Sequence, residues 1–268
     1  MKKLLTAMAS AILILSSCGP RELTFIQMSD PQVGFRDKTE GYVQSDSLMG
    51  LAIEAVNRIK PPFVIITGDL VNHTDDSLQK AIYKRNIAAI DKAVKVYELP
   101  GNHDMRPWTE EHHNEYLDFV GYDRFSFREG GCAFIGFDSC CIKDTIVAVA
   151  AEQKEWLTKE LAGAKGCRHI FLFTHCPIFR ESIDEEEDYF NFSKPQREEY
   201  LGLFKQYGVS AVFAGHTHKD YSSEYEGIKL IIAGPVGTPL HGGYSGLNVI
   251  RVTRDGFTAT YSSAPDAR

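Results

Sequence analysis

The 268-residue chain has no Cys-x-x-Cys pair, no block of lysines and arginines, no internal repeat, no low-complexity tract and no apolar run long enough for an ordinary membrane-spanning helix. Each absence removes a class of function. Without clustered basic residues, and at a formal charge of −7, the chain lacks the positive footprint by which nucleic-acid and anionic-surface binders displace counterions. Six cysteines without the Cys-x-x-Cys spacing indicate no cysteine zinc site. Setting Cys18 aside leaves Cys132, Cys140, Cys141, Cys167 and Cys176, an odd set that cannot all pair, so these are read as buried free thiols. No linker marks a domain boundary, and 43% hydrophobic with 11% aromatic content suffices for one sizeable core.

The N-terminus stands apart. Lys2 and Lys3 precede an apolar run from Leu4 to Leu15, which has the length of an export signal. The run ends Leu15-Ser16-Ser17-Cys18, which resembles the lipobox of bacterial lipoproteins. That resemblance implies removal of residues 1–17, lipidation of Cys18, a mature domain over 18–268, and an exported lipoprotein anchored to the cell envelope by its lipid.

Beyond residue 22 the pattern alternates. Leu23 to Met28, Phe63 to Thr67 and Val94 to Leu99 read as strands, separated by helical spacing over Gln44 to Arg58 and from Ser77 to about Ile90. This alternation predicts parallel strands faced by helices. Thr109 to Val120 and Ala151 to Ala162 read as further helices, and Arg124 to Arg128 with Cys132 to Asp138 as a hairpin turning at Glu129-Gly130-Gly131. Two more strands follow, His169 to Thr174 and Val209 to Ala214, with a Ser193-capped helix to Tyr207 between them. The remainder, Tyr221 to Ser262, reads as short strands and glycine turns.

Five of these strands end on polar groups: Asp30 with Gln32, Asp69 with Asn72, Asn102 with His103 and Asp104, His175, and His216 with His218. Singly, each is an ordinary capping residue, turn residue or core histidine. Together, carboxylates, imidazoles and amide oxygens at one sheet edge form the donor set of first-row divalent metals such as manganese, iron or zinc. They are too many for one ion, and two ions sharing one carboxylate is the natural arrangement.

The series Asp30-x-Gln32, Gly68-Asp69-x-x-Asn72, Gly101-Asn102-His103-Asp104, His175-x-Pro177 and Gly215-His216-x-His218 resembles the calcineurin-like metallophosphoesterase signature, in its usual order. The resemblance implies an α/β fold, a four-layer αββα sandwich with mixed central sheets. It also implies two metals, the first held by Asp30, Gln32, Asp69 and His218, the second by Asp69, Asn102, His175 and His216, with Asp69 as the bridge. In such sites a water between the metals, ionised near neutral pH, attacks phosphorus. By the same resemblance His103 is the general acid for the leaving oxygen, with Asp104 holding its tautomer.

Most members of that superfamily have His at the position of Gln32. Ser29 to Gly34, Glu181 to Asp184, Asp188 to Lys194 and Val236 to Leu240 are similar to a branch of serine/threonine-type protein phosphatases in which Gln is normal. No tyrosine stands at Asn72, so an iron-tyrosinate site is not expected. The resemblance favours hydrolysis of phosphate monoesters, in phosphoproteins or small molecules; the alternatives are a phosphodiesterase or nucleotidase on the same site, and a metal-stabilised binding protein without turnover. Three further features stand out: Glu181 to Ser193 as either a solvated loop or a cleft wall whose acids would then repel highly anionic substrates, His241 as a substrate contact or an exposed residue, and His112-His113 as surface.

Overall fold

The computed structural model describes residues 22–143, 146–240 and 242–268. The export signal, Cys18 and His241 lie outside these residues. The first half delivers the predicted alternation: β1 (Leu23–Met28), α1 (Val43–Ile59), β2 (Phe63–Thr67), α2 (Ser77–Ala88), β3 (Lys95–Leu99) and α3 (Glu110–Val120). The hairpin β4 (Phe125–Glu129) and β5 (Cys132–Gly136) follows, then a short α4 (Cys140–Lys143), α5 (Val147–Gly163), β6 (Ile170–Phe173), α6 (Lys194–Tyr207) and β7 (Ala211–Ala214). The tail supplies β8 (Tyr221–Tyr225), β9 (Ile228–Ile232), β10 (Gly246–Val252) and β11 (Phe257–Ser263).

These strands make two mixed sheets, ordered β11-β10-β1-β2-β3 and β4-β5-β6-β7-β9-β8. β1, β2 and β3 are parallel neighbours, and so are β5, β6 and β7. The strand alternation decides what each face covers. Phe25 and Phe63 of the first sheet meet Phe134, Phe171, Phe173 and Phe213 of the second in a buried aromatic layer, with Phe25 5.2 Å from Phe134 edge to face. The intervening Ile26, Met28, Val64 and Ile66 turn outward into the cluster that holds Met49, Ala52, Ile53 and Val56 of α1. On the other side Ile135, Leu172 and Val212 share that cluster with Leu157, Leu161, Leu201 and Phe204 of α5 and α6. The result is the expected four-layer αββα sandwich.

Gln27 crosses the seam. Its buried amide donates to Ala214 O (2.8 Å) on β7 and to Thr67 Oγ1 (3.1 Å) on β2, while its oxygen accepts from Asn248 Nδ2 (2.9 Å) on β10. A satisfied buried amide of this kind has one low-energy register. It fixes the end of β7 against the ends of β1 and β2, where the polar groups gather.

Candidate metal centre

The loops leaving β1, β2, β3, β6 and β7 converge at one end of the two sheets. Asp69, His175 and His216 form one buried group, and Asp30, Asp69 and His218 another, with the donor atoms of each group within 4.8 Å of one another. Asp69 belongs to both. Asn102 Oδ1 lies 3.1 Å from His175 Nε2, and His175 Nε2 lies 3.4 Å from Asp69 Oδ1. The structure therefore brings together all seven residues that the sequence set out as ligands, five of them in these two groups, Asn102 against His175 and Gln32 on the loop after Asp30.

The backbone is bent to achieve this. Asp30, Gln32, Asp69, His216 and His218 all have φ between 35° and 72°, a region that non-glycine residues seldom occupy. Two glycines allow the loops to close on one another. A Cβ on Gly101 would stand 2.1 Å from both the backbone nitrogen and Oδ1 of Asp69, and one on Gly215 would stand 1.7 Å from Ser29 Oγ.

Each histidine has one ring nitrogen committed to a carbonyl. His175 Nδ1 donates to Thr67 O (2.8 Å), His218 Nδ1 to Thr238 O (2.8 Å) and His216 Nε2 to Tyr189 O (3.2 Å). These bonds fix the tautomers, so Nε2 of His175, Nε2 of His218 and Nδ1 of His216 keep lone pairs. The Oε1 atom of Gln32 is buried and has no hydrogen-bond partner among the described residues. A buried acceptor in that condition costs about 1–3 kcal/mol unless a cation or donor meets it. The donor set and this orphaned oxygen fit divalent metal.

Electrostatics point the same way. Burial works against a charge on His175, yet Asp69 and Asp30 prevail and draw its pKa up to about 9. Burial and the neighbouring His175 push His216 down to about 3. Burial raises the Asp30 carboxyl. For Asp69 burial is outweighed by His175, His103 and His216, and the carboxyl is lowered. Two carboxylates side by side hold extra protons on their neighbours, and bound cations take the place of those protons.

His103 sits beside these groups, its backbone N–H on Asp69 Oδ1 at 2.8 Å and its Nδ1 at 3.2 Å from the carbonyl of Asn72. The expectation that Asp104 holds the His103 tautomer is corrected here. The buried Asp104 carboxylate instead accepts from the backbone N–H groups of Leu70, Val71 and Gly101, and so ties the β2 loop to the β3 loop. The imidazole turns its Nδ1 to the carbonyl of Asn72. Burial and repulsion from Asp69 raise its pKa to about 7.

Sequence reading missed part of the wall. Tyr189 accepts from Asn102 Nδ2 at 2.9 Å, besides holding His216 through its carbonyl. Of the acidic run beside it, Glu185 and Asp188 are tied to Arg180 and to backbone N–H groups, so the loop presents an aromatic to the cleft and not these acids. Arg106, Trp108 and Lys143 also line this cleft, and no spacing in the sequence marked them. His113, expected at the surface, is half-buried, with Nε2 3.1 Å from Asp123 Oδ2.

The comparisons with known proteins agree with this geometry. The chain is 33% identical over 259 residues to the serine/threonine-protein phosphatase CPPED1 of Bos taurus, covering 89% of this chain and 83% of that one. It is 32% identical over 260 residues to CPPED1 of Homo sapiens, with the same coverage. Among solved structures the fold matches purple acid phosphatase PPD1 of yellow lupin (Lupinus luteus), with a TM-score of 0.71 and 16% identity over 92% of this chain and 52% of that one. The family model for calcineurin-like phosphoesterases matches residues 23–220. The chain belongs to the calcineurin-like phosphoesterase family.

Proposed function

We propose that the protein is a dinuclear-metal phosphatase that hydrolyses phosphate monoesters, as the name of its CPPED1 relatives suggests. One observation carries this reading: two ligand-capable groups share the Asp69 carboxylate, with His103 beside them and, among the described residues, uncommitted at Nε2. Asp30, Gln32, Asp69 and His218 would hold one divalent ion, and Asp69, Asn102, His175 and His216 the other; manganese, iron and zinc suit these donors. When bound, the ions supply an ionised water for attack and offset charge on the phosphoryl oxygens.

The chain's own residues do the rest. Asp69 fixes the spacing of the two halves. Asn102 is oriented by Tyr189 and His175. The Nδ1–H of His103 donates to Asn72 O, which leaves Nε2 as the atom that would pass a proton to the leaving oxygen as the ester bond breaks. In the sequence before the described residues, Lys2, Lys3, the apolar run and Cys18 support an exported, lipid-anchored protein.

The test is metal content of the purified mature protein together with hydrolysis of para-nitrophenyl phosphate and bis(para-nitrophenyl) phosphate with added manganese. Two metals per chain and faster monoester cleavage are expected. Preference for the bis-ester would make the protein a phosphodiesterase, and absence of turnover with both metals bound would overturn the enzyme reading.

A further inference from the structure

Beside the His175–His216 group lies a cleft of about 150 Å³, lined by Asn102, Arg106, Trp108, Lys143, Cys176, Tyr189 and His216. Two of these residues, Asn102 and His216, belong to the floor of the reaction site. Among the described residues the wall carries two cations and no carboxylate, in a chain of formal charge −7.

The two aromatic members are fixed. Trp108 stacks on His113 at 5.4 Å and 20°, and His113 is in turn held by Asp123. Tyr189 is held through its hydroxyl by Asn102, and Lys143 Nζ lies 5.8 Å from the centre of its ring. A preformed cleft with two cations between rigid rings recognises an anion on a short arm, and a charge-assisted pair there discriminates by roughly ten- to a hundredfold. Its volume is well below the roughly 300 Å³ at which pockets for whole small molecules begin, so it holds only a fragment.

We propose that this cleft is a subsite for a second anionic group on the leaving-group side, so that the preferred substrates are small phosphate monoesters that also carry a carboxylate or another phosphate. This rests on the phosphatase reading above. The arm that reaches Arg106 and Lys143 also aligns the scissile ester with His103.

The test compares kcat/KM for three substrates of equal carbon length: glycerol 3-phosphate, 3-phosphoglycerate and propane-1,3-diol bisphosphate. Para-nitrophenyl phosphate is assayed beside them. At least one of the two doubly anionic substrates is expected to exceed glycerol 3-phosphate by tenfold or more, mainly in KM, and which one does so identifies the second anion. In Arg106→Gln, and separately in Lys143→Gln, that ratio should fall toward one. Equal kcat/KM for all three, with para-nitrophenyl phosphate still cleaved, would overturn the subsite and leave the phosphatase reading standing. No turnover of any of the four would remove both.

Discussion

Five of the seven ligand candidates sit in left-handed backbone conformations, at a cost of order 1–3 kcal/mol each. Such strain persists only where the surroundings over-determine it. Here the backbone N–H of His216 is held by Asp30 and that of His103 by Asp69, so each carboxylate also pins another loop. His103 itself is different, because among the described residues its imidazole hydrogen-bonds the Asn72 carbonyl and meets the Phe35 ring edge to face, so it can be removed without breaking a hydrogen bond to a ligand candidate. His103→Ala is expected to lower kcat by roughly 10²–10⁴, the usual size of a general-acid contribution, while bound metal measured by atomic emission stays at the wild-type level. Loss of a metal from that variant would make His103 a ligand.

A second residue-scale prediction concerns Asp138, away from the chemistry. Burial and repulsion from Asp123 raise its carboxyl to about 7, although Oδ1 accepts N–H bonds from Cys140 and Cys141. Its Oδ2 has no partner among the described residues. A raised acid binds more protons folded than unfolded, so stability falls as pH climbs from the unfolded pKa of about 3.9 and the loss is complete above about 7. Asp138→Asn keeps an acceptor for the two N–H groups and cannot ionise. Melting temperatures of the two proteins should therefore diverge in favour of the variant by several degrees between pH 5 and pH 8, at roughly 2–4 °C per kcal/mol. A gap that does not change with pH would contradict this.

At the scale of elements, the sequence was most informative where a strand ran into polar residues. β1, β2, β6 and β7 each announced the ligands that follow them, because an apolar run that stops on Asp or His is visible without neighbours. The residues alone did not announce two sheets. That depends on whether Phe25 and Phe171 share a layer, a long-range contact that no local period records, and here only the family resemblance supplied it. The loop after β6 was the hardest to read. Its organiser is Arg197 on α6, fully buried, which donates to the carbonyls of Phe192, Ile183, Glu185 and Glu186. In the sequence it looks like a solvated helix residue. Arg197→Met would take the side-chain donor from the carbonyls of Phe192, Ile183 and Glu185, that of Glu186 keeping Asn191 Nδ2, at a cost of about 2–5 kcal/mol concentrated in residues 180–193. Amide exchange there should quicken more than in β6 or α6, and kcat/KM should drop because Tyr189 no longer steadies His216 and Asn102. Unchanged exchange across that loop would refute the assignment.

For the whole molecule, the geometry gives the proposed anchor a direction. Residue 22, where the described chain begins, leads directly into β1, while Asp30 lies just past the other end of the same strand. At about 3.3 Å per residue, the six residues of β1 separate the two by roughly 20 Å. A lipid on Cys18, four residues before Glu22, would thus tether the molecule by the end opposite its chemistry, and the ligand loops would face away from the bilayer. Substrates would then arrive from solution and not from the membrane surface, which agrees with a cleft sized for a fragment bearing a second anion. Cys18→Ala, expressed from the full chain, is expected to move the protein from the membrane pellet to the soluble fraction with para-nitrophenyl phosphate turnover per metal-loaded molecule unchanged. If the variant stays in the pellet, some other surface holds it. If turnover rises on release, the site was facing the membrane and the orientation argued from β1 is wrong.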